Sequence, residues 1–191
     1  MQKRTLVLIL LASAMSLPIA LVVAVDTARP ALADQAELPG PDTQFLAKAI
    51  ISGRNEIELS QVAASKASQA EVKHFAEQMV RDHAAANDKL VKEADRHKIK
   101  TTGTYGTPPL EPTEQARMTK QQLEALSGTQ FDKAYMQRMI QDHMEAVALF
   151  QEQAKNGKDK QLDDLAAATL PTLEEHLKQA RELGGRVGIQ G

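Results

Sequence analysis

The chain has 191 residues, with 23 basic and 25 acidic side chains, a net charge of −2, five His, two Tyr, four Phe, and neither Cys nor Trp. Mild acidity argues against nucleic acid or an anionic membrane surface as the partner, and the absence of Cys excludes disulfides, a lipid-attachment cysteine and a cysteine nucleophile. Few aromatics beside abundant Ala, Leu, Gln, Glu and Lys point to helices, and no stretch sustains the period-two alternation of a strand.

Residues 1–33 read as a cleaved secretory signal peptide. Lys3 and Arg4 give a basic start, Leu6 to Val25 is a nearly unbroken apolar run, and Ala31-Leu32-Ala33 is a small-x-small cleavage signal. The competing reading is an uncleaved anchor, since about 20 apolar residues can span a bilayer. Cleavage removes Lys3, Arg4, Arg29 and Asp26, so that 23 basic and 25 acidic residues become 20 and 24, a net −4. A single domain of this size can bury a real core.

Residues 34–42 are rich in Pro and Gly and are expected to form a flexible lead-in to a helical domain over 43–185, with 186–191 as a tail. The first helix is expected from about Thr43 to Lys66. Ser68 and Glu71 have the spacing of a capping box and would start a second helix reaching about Lys98. Thr101 to Pro112, with two Gly and three Pro, is a loop. A short helix over 113–126 is broken by Ser127-Gly128. A third long helix runs from about Thr129 to Lys155 and stops at Asn156-Gly157. The last spans about 159–183, with a kink expected at Pro171 and Gly184-Gly185 ending it. Four long helices and one short one make an all-α four-helix bundle.

One motif occurs twice. Met79-Val80-Arg81-Asp82-His83 returns sixty positions later as Met139-Ile140-Gln141-Asp142-His143, with Phe75 opposite Tyr135, which suggests one helix hairpin used twice. Turning each helix at about 100° per residue places its apolar stripe toward the core. Glu56 then falls inside the first stripe and Glu58 outside. On the second helix His83 lies near the centre and Asp82 at the flank. On the third both Asp142 and His143 lie within the stripe, and on the fourth His176 does.

Inward carboxylates and imidazoles from all four helices are how bundles build metal centres, so Glu56, His83, Asp142, His143 and His176 are the candidate metal ligands, for copper, iron or zinc. Met79 and Met139, one turn before each His, could add thioethers suited to copper. The blander reading puts these His near the bundle ends, bonded to acidic partners, with the Met filling core gaps. Glu71-Val72-Lys73-His74 has Glu-x-x-His spacing, but Glu71 and His74 lie off the stripe, and Glu174-Glu175-His176 lacks that spacing. A ferroxidase-type centre is therefore disfavoured. No Gly-rich phosphate loop or Gly-x-Ser-x-Gly elbow is present.

The runs Phe45-Leu46-Ala47, Glu56-Ile57-Glu58-Leu59 and Phe75 through His83 resemble the bacterial domain of unknown function 4142 family. So do Leu126-Ser127-Gly128, Phe131-Asp132, Tyr135 and Leu170-Pro171 with His176; the resemblance covers about 43–184. It implies a ferritin-like bundle and export, under labels that include outer-membrane protein, and carries no established activity. The family's Asp-His pattern falls on Asp82-His83 and Asp142-His143. A barrel is not expected, because alternating ten-residue strands are absent.

The sequence thus favours an exported, periplasmic binding or structural protein without evident catalytic chemistry. Its partners would be an envelope protein or a second copy, with no nucleic acid and no membrane insertion once the signal is cleaved. The alternative is a periplasmic metal-binding bundle. An oxidase or catalase-like enzyme would rest on fold analogy alone.

Overall fold

A computed structural model of the chain describes residues 40–99 and 114–189. The expected signal peptide, most of the lead-in and the Thr101–Pro112 loop lie outside the described residues. Five helices follow one another: α1 (Gly40–Lys66), α2 (Ala70–Arg96), α3 (Glu114–Glu124), α4 (Gly128–Asn156) and α5 (Lys160–Arg186). There is no strand among the described residues.

Several boundaries differ from expectation. Helix α1 begins at Gly40, so residues 40–42, expected in the lead-in, are helical, and Asp42 is fully buried. Helix α2 ends at Arg96, because Lys98 turns into the left-handed region at φ 57°. Helix α5 runs straight through Gly184 and Gly185 to Arg186, with Pro171 inside it. Gly184 packs closely rather than stopping the helix: a Cβ there would meet the end of the Ile140 side chain at 2.9 Å.

The capping box does not form. Ser68 instead donates backbone N–H and hydroxyl to the Asp132 carboxylate of α4, at 2.9 and 2.5 Å, and Gln69 N–H donates to the same group at 2.9 Å. A buried carboxylate from another helix thus takes the orphan donors that a local cap would have taken. At the other end Asp42 of α1 does the same for the α4–α5 connection, accepting from Lys158 N–H at 3.2 Å and Asp159 N–H at 2.9 Å.

These two pins reveal the true internal repeat. Asp42 and Asp132, Ser68 and Lys158, and Gln69 and Asp159 are each 90 positions apart. So are Lys98 and Gly188, the left-handed residues (φ 57° and 84°) that end α2 and α5. Both helix ends close with the same bonds, Ile99 N–H to Ala94 O at 2.8 Å and Ile189 N–H to Gly184 O at 2.9 Å, the pattern of a Schellman motif. A hairpin is used twice, as expected, but the copies are α1–α2 and α4–α5. The sixty-residue match pairs α2 with α4, which are not equivalent.

The pins also fix topology. The start of α1 lies beside the end of α4, and the start of α4 beside the end of α1, so these helices are antiparallel and α2 runs parallel to α4. The connection between α2 and α4 therefore joins opposite ends of the bundle, as in ferritin-like folds with one long crossover. Helix α3 belongs to this connection. It buries Leu123, and Lys66 of α1 donates to the Glu124 carbonyl.

Two apolar clusters fill the interior. One contains Leu46, Ile50, Leu90, Leu162 and the edge-to-face pair Phe45 and Phe150, with ring centroids 5.0 Å apart. The other contains Leu59, Phe75, Met79, Phe131, Tyr135, Met136 and Met139. Each fully buried Leu or Ile contributes about 1.5–3 kcal/mol. The buried Ser60 and Tyr135 hydroxyls bond each other at 2.9 Å, which ties α1 to α4.

Candidate metal centre

Between the two apolar clusters lies a polar layer supplied by one side chain from each long helix: Glu56 of α1, His83 of α2, His143 of α4 and His176 of α5. All four are buried, at 1%, 6%, 0% and 2% exposure. Each sits within its helix's apolar stripe, so the packing that buries the neighbouring Leu, Phe and Met side chains also carries these groups inward. They lie mid-bundle rather than at its ends.

The imidazoles converge. Their ring centroids form a nearly equilateral triangle, with sides of 5.3, 5.4 and 5.6 Å, and one nitrogen from each lies within 4.8 Å of the other two. His83 Nε2 and His143 Nε2 are 3.4 Å apart. Two nitrogens bound to one tetrahedral ion at 2.0–2.1 Å would be separated by roughly 3.3 Å, so this pair already has a ligand spacing. Glu56 Oε2 lies 3.3 Å from His83 Nε2 and 3.4 Å from His143 Nδ1.

Hydrogen bonds assign the free lone pairs. His143 Nδ1 is 2.9 Å from the Met139 carbonyl oxygen, so Nδ1–H donates there and Nε2 is left with its lone pair facing His83. His176 Nε2 is 3.0 Å from Asp82 Oδ2, so Nε2–H donates to that carboxylate. His176 Nδ1 is then buried with no hydrogen bond, and Glu56 Oε2 is buried with none either. A carbonyl and a carboxylate holding the outer nitrogens of two imidazoles is the orienting arrangement of histidine metal ligands.

Protonation favours binding. Burial drives the His83 imidazole below its ordinary value, against the opposing pull of Glu56. Burial likewise lowers His176 to about 4, although the bond to Asp82 raises it. Both rings are neutral near pH 7 and available as ligands.

Four of the five expected ligands are therefore brought together, and the fifth is not. Asp142 is buried, but its Oδ2 accepts from Arg138 Nε at 2.8 Å, one helical turn earlier, and it lines a separate pocket with Lys48 and Asn55. Burial, reinforced by the Glu56 charge and opposed by Arg138, pushes its carboxyl up to about 6. Met79 and Met139 are core side chains, fully buried in the cluster around Phe75 and Tyr135. Asp82, read at the stripe's flank and left out of the ligand set, turns out to hold His176. Glu71 and His74 are exposed, as their off-stripe positions required. No helix among the described residues is long and apolar enough to cross a membrane.

Solved structures share this fold. A DUF305 fragment from Deinococcus radiodurans aligns with a TM-score of 0.65 at 17% identity, covering 78% of this chain and 98% of that one. A secreted DUF305 protein from Streptomyces coelicolor gives 0.66 at 16%, covering 78% and 94%. CopM in its Cu(II)-bound form gives 0.60 at 17%, covering 76% and 96%. At these identities the likeness establishes the helical fold alone. No curated protein matches the sequence. Residues 27–183 match the domain of unknown function DUF4142, and the chain belongs to that family.

Proposed function

We propose that this protein binds one transition-metal ion in the middle of its bundle, through His83, His143 and His176, with Glu56 as the adjoining carboxylate. The observation that carries the reading is the convergence of three buried imidazoles from three helices within 4.8 Å. Sequence alone ranked a structural or surface-acting protein first. A buried His cluster with an unbonded ring nitrogen on His176 reverses that order, because a purely structural cluster would be expected to satisfy it.

Imidazole donors suit zinc, copper, iron and nickel, and among divalent ions copper binds nitrogen sites most tightly. Copper(II) is accordingly the ion expected to bind best, and the Cu(II)-bound state of the similarly folded CopM agrees with that choice. The reading includes export to the periplasm, supported by the basic start, apolar run and Ala31-Leu32-Ala33 signal.

The test is elemental analysis of protein isolated without a His tag or chelator, before and after challenge with copper, iron and zinc. One metal per chain is expected, and none in the His83→Ala/His143→Ala variant. A folded wild-type protein that stays metal-free after all three challenges overturns the proposal. Cell fractionation tests export, which a wholly cytoplasmic product would refute.

A further inference from the structure

Directly against the His layer lies a cavity of about 40 Å³. A water molecule's centre needs roughly 10–15 Å³, so the space holds about three small atoms. Glu56, His83 and His176 form part of its wall, and Gly53, Ala86, Ala146 and Leu173 form another. His176 Nδ1 and Glu56 Oε2, the two buried atoms without a hydrogen bond, therefore belong to residues that border this space.

The second group of residues has a definite origin. Applying the 90-residue repeat, Ala146 is the counterpart of Glu56, Leu173 of His83, Gly53 of His143 and Ala86 of His176. The four positions that one side of the bundle uses for ligands are occupied on the other side by three small residues and one Leu. The cavity is thus the stripped-down mate of the metal centre, adjoining it across the pseudo-twofold axis. Thr172, also in its lining, is exposed, so the space reaches solvent.

We infer that the metal ion, once bound, keeps an exchangeable coordination position on this side and takes a small inorganic ligand of about three heavy atoms, of the pseudohalide type. The inference rests on the metal-binding reading. Three imidazoles and one carboxylate supply four donors, which leaves a copper(II) ion room for a further ligand on the open side, and a small anion is the strongest donor that fits there. The size of the space excludes a substrate of more than about three heavy atoms.

The probe is azide, titrated into the copper-loaded protein, with metal content measured on the same samples. A saturable, one-to-one ligand-to-metal charge-transfer band and a shift in the copper electron paramagnetic resonance spectrum are expected. Ala86→Leu, which fills the cavity from a half-buried position, should keep one copper per chain and weaken azide binding at least tenfold. Ala146→Val provides a second filling variant should the first misfold. Copper protein without an azide response overturns the inference and leaves the metal reading intact, as does equal azide affinity in a folded, copper-loaded filled variant. A chain without copper overturns both, and the metal assay distinguishes the cases.

Discussion

Asp82 and Asp142 precede the two repeated His residues, carry the same charge and border the same polar layer, yet the structure gives them opposite roles. Asp82 accepts from His176 Nε2 at 3.0 Å and fixes the ring, leaving the buried Nδ1 without a hydrogen bond. Asp142 accepts from Arg138 Nε at 2.8 Å and touches no imidazole among the bonds described. Removing an orienting partner of a metal-bound His typically costs 10–100-fold in affinity, about 1.4–2.7 kcal/mol. The Asp82 side chain is 37% exposed, so solvent screens its charge and the lower part of that range applies. Asp82→Asn should therefore weaken copper binding about 10- to 30-fold, and Asp142→Asn less than threefold. Competition against a chromophoric chelator at fixed pH measures both. Equal losses in the two variants would refute the orientation argument, since that result is what the summed negative charge alone would produce.

Three further outcomes concern the metal-free bundle. Asp132→Asn leaves one acceptor oxygen for three donors and should cost about 2–3 kcal/mol in urea unfolding; Asp42→Asn should cost a similar amount, and the double variant the sum, because the pins lie at opposite ends. Lys98→Gly relieves a left-handed non-glycine residue at φ 57° and should raise stability by about 1 kcal/mol, an unchanged urea midpoint counting against strain there. Protonation of the buried imidazoles should cost stability as pH falls from 6.5 to about 4. The folded His176 pKa of about 4 lies below its ordinary 6.5, so its contribution is complete above pH 6.5 and is lost as pH falls through 4, on the order of 3 kcal/mol. Buried His83 acts in the same direction. Asp142, its carboxyl pushed up to about 6, acts in the opposite direction over the same range. The profile is therefore read in the Asp142→Asn variant, where a flat line between pH 6.5 and about 4 would contradict the burial of these rings.

The helices and their inward residues were legible because a 3.6-residue period fixes rotation: Glu56, His83, His143 and His176 each fell in an apolar stripe, and each is buried. Rotation does not fix height. The relative sliding of the helices is set by contacts remote in sequence, the Asp42 and Asp132 pins and the Ser60–Tyr135 bond, none of which leaves a local signal. The wide angular window of a stripe also admitted Asp142, although Arg138 four residues earlier was a readable i,i+4 partner. Asp82 was missed for the converse reason. It sits at the flank, where a side chain can reach a neighbouring helix without entering the core. The sixty-residue motif misled because it compares residues that meet in space, His83 and His143, rather than positions that are equivalent.

The 90-residue repeat shows why the bundle is symmetric at its ends and asymmetric in its middle. At the ends both hairpins face one requirement, orphan backbone donors at a helix start and a chain reversal at a helix stop. Asp42 and Asp132 meet the first alike, and Lys98 and Gly188 adopt one conformation for the second. In the middle the requirement cannot be met twice. A second set of one Glu and three His, beside the first, would bury further polar groups without a second ion to satisfy them, at several kcal/mol. Gly53, Ala86, Ala146 and Leu173 avoid that cost, and the small volumes of the first three leave the cavity. Divergence of the two hairpins at these four pairs of positions therefore produces both the ligand set and the space beside it, from a scaffold whose ends did not need to change.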